Sequence, residues 1–296
     1  MPVHSLALAV GFGVITASIL ALSAIALSLQ YSVTGIPNFA HGQLLALGAY
    51  AALVVQRFIS NVFLEALAAC VVGAIVAWLL NLLLIQPMVR RGAAIVALFV
   101  VTLAAAFALD GVILLMFTGT TYAYNLPPDQ VVYVGPFQFT YRSLVIIGVS
   151  LLVMLVLHVI LNYTRFGKAQ RAVADSRELA RVSGINADGV IRRTWLLAGA
   201  VAGFAGFVLA ASTGSFAPNI GTNFMLVTFA AAIVGGLGKP YGAVIGALVI
   251  GLSMEVSAIY LPANYKDSIA FAVLILTLLF LPNGILATTR ENLATQ

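Results

Sequence analysis

The chain has 296 residues, 62% of them hydrophobic and only 8% charged, with a net charge of +5 and a mean hydropathy of +1.10. Soluble domains carry about a quarter charged residues, so this composition excludes a water-soluble fold and makes lipid the solvent. The positive charge sits at the ends of apolar runs with no interleaved aromatics, which excludes a nucleic-acid surface, and the single Cys70 excludes an internal disulfide.

The opening Met1-Pro2-Val3-His4 lacks the basic region of a cleavable signal peptide, so the run Leu6–Leu29 reads as a span that is retained. Next comes Gly35-Ile36-Pro37-Asn38-Phe39-Ala40-His41-Gly42, where Pro37 and the glycines can break a helix. Two readings of this stretch stand. Unwound backbone at membrane depth survives only where protein buries it or where it lines a wet path, so Asn38 and His41 can belong to a pathway. Alternatively the stretch is a cytoplasmic turn, with Asn38 capping the next helix. Further apolar runs are Asn38–Val55, Phe63–Ile85 and Ala94–Phe117. Asp110 lies inside the last of these and Glu255 inside a later one, where an ionisable group costs roughly 2.5–3.5 kcal/mol on insertion scales. They face the bundle interior, snorkel near a helix end, or form a proton relay.

Residues 118–142 are the longest outer segment, and Val131–Val134 and Phe137–Tyr141 flank Gly135-Pro136. That pattern predicts a hairpin on the outer surface or an irregular loop with aromatics at the lipid interface. The run Leu144–Leu161 leads into 162–193, a polar island holding seven of the chain's 14 basic residues. Within it Asp175 is positioned to N-cap, Glu178 to complete a capping box and Gly184 to end the turn, predicting a helix over 176–183. A structured helix at the membrane surface suggests that something outside the bilayer grips the protein there. The runs Trp195–Ser212, Met225–Gly236, Ala243–Tyr260 and Ile269–Leu281 complete the chain, and Met225–Gly236 reads as a half-helix broken at Gly235-Gly236.

These runs predict an all-α polytopic membrane bundle, one domain over 1–296, with eight or nine spans and broken helices. If the Arg90-Arg91 turn is cytoplasmic, then 162–193, Lys239 and Arg290 share its side, collecting 11 of 14 basic residues, and only Arg57, Arg142 and Lys266 fall opposite. The asymmetry puts the carboxyl terminus in the cytoplasm. Small residues recur four apart at Gly199/Gly203, Ala202/Gly206, Gly242/Gly246 and Ala247/Gly251, spacing suited to close helix contact within one subunit or between two. The glycines before Lys239 do not make a phosphate loop, because Ile233 and Pro240 stand where a glycine and a Ser or Thr are required. No catalytic residue, metal site or cofactor is expected.

The run Gly35 to Tyr50 (GIPNFAHGQLLALGAY) resembles the signature near the start of branched-chain amino acid ABC transporter permeases. Phe166–Asp175 (FGKAQRAVAD) with Ala180–Asn186 (ARVSGIN) is similar to that family's cytoplasmic coupling loop. Ala198–Gly206, Val234–Gly238, Tyr241–Gly246 and the closing Leu281-Pro282-Asn283-Gly284 continue the likeness in the same order, from residue 10 to 286. Pro240 and Tyr241 depart from it, standing where relatives often have smaller or more polar residues. The resemblance implies a permease subunit of an ATP-driven importer in the bacterial cytoplasmic (inner) membrane, carrying branched-chain or other hydrophobic amino acids, or urea or short amides. The implied partners are a second related permease, two cytoplasmic ATPase subunits and an extracytoplasmic solute-binding protein. A self-contained proton-coupled carrier using Asp110 or Glu255, or a passive channel, is the rival class. In the importer reading Asn38, Phe39, His41, Gly42, Gly235, Gly236 and Gly238 line the translocation path. Asp175, Arg177, Glu178, Arg181 and Gly184 form the ATPase-coupling element.

Overall fold

The computed structural model describes residues 2–127, 129–135 and 137–286. The turn residue Pro136 and the expected basic tail at Arg290 lie outside them. Among the described residues seven helical stretches are long and apolar enough to cross a bilayer: Leu6–Thr34, Val62–Arg90, Ile95–Phe117, Tyr141–Tyr163, Ala187–Thr213, Pro240–Ser257 and Ala263–Phe280. Two more helices fall short of that standard. His41–Phe58 has 18 residues but carries His41, Gln43, Gln56 and Arg57, and Ile220–Gly235 has only 16. Both sit inside the bundle, where neighbouring helices rather than lipid provide the solvent.

In chain order the helices are α1 (Pro2–Thr34), α2 (His41–Phe58), α3 (Val62–Leu80), α4 (Gln86–Arg90), α5 (Ile95–Phe117) and α6 (Tyr141–Tyr163). They continue with α7 (Arg165–Asp175), α8 (Arg177–Val182), α9 (Ala187–Thr213), α10 (Ile220–Gly235), α11 (Pro240–Ser257) and α12 (Lys266–Phe280). A π-helical turn, Asn81–Ile85, joins α3 to α4, with the Gln86 N–H bonded five residues back to the Asn81 carbonyl. Its cause is Pro87, which lacks an N–H and crowds the carbonyl four residues before it, so the helix widens one turn ahead.

The centre of the molecule is α1 packed on α9, α10 and α11, with α2 and α3 against α9. Glycine decides how closely these helices approach. A Cβ on Gly48 of α2 would lie 2.1 Å from the Gly203 carbonyl oxygen of α9, and one on Gly199 2.4 Å from that of Gly73 in α3. The four-spaced small residues therefore pack within the chain: Gly206 meets Leu45, Gly246 meets Ala231 and Gly251 meets Ala17. The outer helices α5, α6 and α12 present exposed leucine, valine and phenylalanine side chains instead, as lipid requires.

Of the two readings of 118–142, a hairpin or an irregular loop, the hairpin forms. Strands β1 (Val131–Val134) and β2 (Phe137–Thr140) pair antiparallel with Val131 opposite Thr140, and Gly135 takes φ +60° at the turn. Thr140 then caps α6 by accepting the Ser143 N–H at 3.2 Å. An isolated bridge between Tyr122 and Phe216, with both N–H···O distances 2.8 Å, ties this segment to the α9–α10 connection.

Candidate translocation and coupling sites

α1 ends at Thr34 and the chain turns at Gly35 (φ +67°), whose N–H reaches the Tyr31 carbonyl at 2.7 Å. Residues 35–40 are not helical, yet Ile36, Asn38 and Ala40 are buried. α2 then starts at His41, whose Nε2 lies 3.2 Å from the Ser23 hydroxyl. Ser23 stands eleven residues before the end of α1, about 16 Å along its axis. The segment therefore runs back into the bundle rather than turning at its surface, which corrects the reading of a plain cytoplasmic turn. Asn38 anchors it there, with its side-chain amide and its backbone carbonyl both partnered. The Asn38 amide donates to Gln30 Oε1 at 2.9 Å, its Oδ1 accepts the Ala40 N–H at 3.1 Å, and its carbonyl accepts the His41 N–H at 3.2 Å. Asn38 thus stabilises the turn before α2 but does not cap it; Ala40 holds the cap position without a side-chain bond.

α10 closes over this segment. Phe39 stacks on Phe229 at 4.9 Å and meets Phe99 edge-on at 4.5 Å. Ser23 also contacts the Thr228 hydroxyl at 3.0 Å, linking α1, α2 and α10. Gly42 lies against Gly221, whose carbonyl oxygen would be 2.6 Å from any Cβ added to Gly42. One helical position on, the Gln43 amide donates to Thr222 at 2.9 Å and to Asp110 at 3.3 Å. Asn38, His41 and Gln43 are all buried, so this conformation is closed around them.

The second break runs from Gly235 to Lys239. Gly236 (φ +107°) and Gly238 (φ +81°) hold conformations that side chains oppose, and Pro240 opens α11 at its first position. Gly235 faces Gly242 across the hairpin, and the closing turn folds back on it, with the Ile285 N–H on the Val234 carbonyl at 2.9 Å. Gly238 contacts Tyr31 and Ser32, while Asn38 bonds Gln30. The two breaks therefore flank the last turns of α1, and it is α10, not the second break itself, that meets Phe39 and Gly42 directly and reaches His41 through Ser23.

In the polar island, Thr164 caps α7 by accepting the Gly167 N–H, and Ser176 caps α8 by accepting the Leu179 N–H at 3.3 Å. The cap is Ser176 and not Asp175, because Arg165–Asp175 is itself a helix that Asp175 ends. α8 closes in a Schellman turn: Gly184 (φ +81°) donates to the Arg181 carbonyl at 3.0 Å and Ile185 to that of Ala180 at 2.9 Å. Arg177 (2.6 Å), Arg181 (3.1 Å) and Arg90 (3.0 Å) converge on the carboxylate of Asp188. Two arginines expected to reach a partner are thus held by their own chain, tying α8 to α4 and α9. Glu178, Leu179 and Val182 remain exposed on the outer face of α8.

Glu255 pairs with Lys266 at 2.7 Å and accepts the Thr16 hydroxyl at 3.0 Å. The sequence reading missed that partner, which lies eleven residues on, across the α11–α12 turn. It also missed Ser23, Gln30, Gln43, Thr228 and Asp188. A polar side chain interrupting an apolar run was the available signal for the first four.

Residues 9–278 match the family described as branched-chain amino acid transport system / permease component. The chain is 34% identical over 287 residues to the high-affinity branched-chain amino acid transport system permease protein LivH of Escherichia coli K12, covering 93% of both. It is 32% identical over 292 residues to the probable branched-chain amino acid transport permease protein LivH of Methanocaldococcus jannaschii, covering 92% of this chain and 90% of that one. To the permease protein BraD of a Pseudomonas aeruginosa high-affinity branched-chain amino acid transport system it is 29% identical over 287 residues, covering 93% of both.

Proposed function

From the premise that this chain belongs to the permease-component family of branched-chain amino acid transport systems, we propose how it moves its solute. It is a permease subunit of an ABC transporter for branched-chain amino acids, a multi-pass protein of the cytoplasmic membrane and not an enzyme. Partner subunits hydrolyse the ATP. We infer nine crossings, counting α2 and α10 with the seven apolar stretches, and a partner set of a second permease, two ATPase subunits and an extracytoplasmic binding protein. The exposed Leu179 and Val182 on α8 support an ATPase contact, since apolar side chains facing water gain free energy when covered.

The path runs along the buried break at Asn38, Phe39, His41 and Gly42, with Gly235, Gly236 and Gly238 supplying the joint about which α10 and α11 shift. The observation that carries this is the unwound 35–40 segment held at membrane depth by Gln30 and closed by α10. ATP binding draws the ATPase pair together, α8 follows, and α10 moves off Phe39 and Gly42 to admit an aliphatic side chain. Affinity in the path stays weak because it must release what it admits. Reconstitution with the partner subunits tests this: uptake of leucine, isoleucine or valine should require ATP and persist with a protonophore present. Uptake of urea but not leucine, or uptake abolished by the protonophore with ATP still supplied, would overturn it.

A further inference from the structure

An apolar groove of about 470 Å³ runs along the exterior of the bundle between α6 and α11. Leu151 and Leu155 on its α6 wall are more than half exposed. That wall runs from Leu151 to Leu161, ten residues or about 15 Å. This is half the ~30 Å of a hydrocarbon core, the depth of one leaflet. At Leu161, Pro240 and Tyr241 the groove adjoins a second cavity of about 420 Å³ whose lining turns polar, with Ser32, Asn162, Gln170, Arg171 and Lys239. α1 lines the first cavity through Ile25 and the second through Ser32, an offset of about 10 Å toward the basic end of the bundle.

The polar cavity has unspent positive charge. Arg171 donates to the Leu161 carbonyl and to Asn162 Oδ1, both at 2.9 Å, and Lys239 donates to the Leu286 carbonyl at 3.1 Å. Neither forms an ion pair among the described residues, and Asp175 is the one carboxylate lining the same cavity. Arg165 and Lys168, exposed on the amphipathic α7, extend the positive field along this end. Tyr241 stands at the junction of apolar and polar lining, its hydroxyl 3.0 Å from His158 Nδ1, the kind of boundary that tyrosine favours in membrane proteins.

We propose that this is a binding site for an anionic phospholipid: one acyl chain lies in the groove between α6 and α11, and the headgroup phosphate meets Arg171 and Lys239. A free anion would leave the groove unfilled, and a zwitterionic lipid would bring its own cation against two others. Tyr241, which departs from the family pattern, then serves the lipid and not the solute.

Native mass spectrometry of the full-length chain in detergent, titrated with palmitoyl-oleoyl phosphatidylglycerol or phosphatidylcholine, tests the site. Phosphatidylglycerol should bind about tenfold more tightly. Arg171→Gln with Lys239→Gln should remove the preference, and Val244→Phe should weaken both lipids by about tenfold. Equal affinities, a preference that survives loss of both cations, or displacement by an equal concentration of inorganic phosphate would overturn the proposal. If the variants fail to fold, the unaltered chain still decides. In the membrane, phosphatidylglycerol with a photoreactive tail should attach within 151–161 and 240–245. Attachment elsewhere, or none because another subunit covers this face, refutes it.

Discussion

Asn38 joins the end of α1 to the start of α2, donating to Gln30 and accepting from the Ala40 N–H. Asn38→Leu keeps the bulk but leaves both partners buried and unpaired, at about 1–3 kcal/mol for each group. Its melting temperature in detergent should fall; an unchanged value would mean that this pair does not hold the segment. At Gly42 the geometry alters what a substitution tests. A Cβ there sits 2.6 Å from the Gly221 carbonyl oxygen, so Gly42→Ala wedges α2 from α10 and Gly42→Val does so further. Overpacking of this kind costs about 1–3 kcal/mol. We expect Gly42→Ala to slow uptake and lower stability together, and Gly221→Ala to do the same. Normal uptake and melting in both variants would separate this contact from the path.

The short helix α8 was legible as an element and misread by one residue at its start. Ser, Thr and Asp all cap, and only the fold of α7 decides that Asp175 belongs to the preceding helix while Ser176 takes the cap. Ser176→Ala should cost about 1 kcal/mol of local stability. The proposed ATPase contact and the internal brace are separable by mutation. Leu179→Asp or Val182→Asp should reduce co-purification of the ATPase subunits with the melting temperature unchanged. Arg177→Glu, which sets an acid beside Asp188, should lower both. Equal co-purification in all three would remove α8 from the coupling contact. The apolar runs were readable because lipid demands length and apolarity from each span, whereas their packing faces were not. A helix apolar all round shows no preferred side, so Gln43 with Asp110 and Thr222, or Ser23 with His41 and Thr228, emerge only from the fold.

For the molecule as a whole, the basic asymmetry predicts which end meets the cytoplasm. Cysteine at the exposed Ser183, in a Cys70→Ala background, should react with an impermeant reagent only from the cytoplasmic side, and cysteine at the exposed Gln130 only from outside. Labelling of both from one side would overturn the sidedness. The ionisable groups within the spans belong to structure in this view. Asp110→Asn keeps an acceptor for Gln43, and Glu255→Gln keeps one acceptor oxygen for either Thr16 or Lys266, so both should retain ATP-dependent uptake, the second at lower stability. Loss of uptake in either, with the protein still assembled, would return that residue to the mechanism.

The close approach of Gly48 to Gly203 bears on how the protein is made. α2 carries four strongly polar side chains, and its tightest neighbours on α9 and α10 are encoded roughly 150–180 residues later. At about 5–20 residues per second, α2 must wait on the order of 10–35 s for them. During that interval it is a poorly apolar segment with α1 and α3 beside it but without α9 and α10, held at the insertion machinery or left at the bilayer surface. A chain arrested after Tyr163 should therefore leave cysteine at Leu53 open to a water-soluble maleimide, while the finished chain, where Leu53 is buried, protects it. Protection in the arrested chain would mean that α2 enters the membrane without α9 and α10. Otherwise the later half of this protein acts as the chaperone of the earlier half.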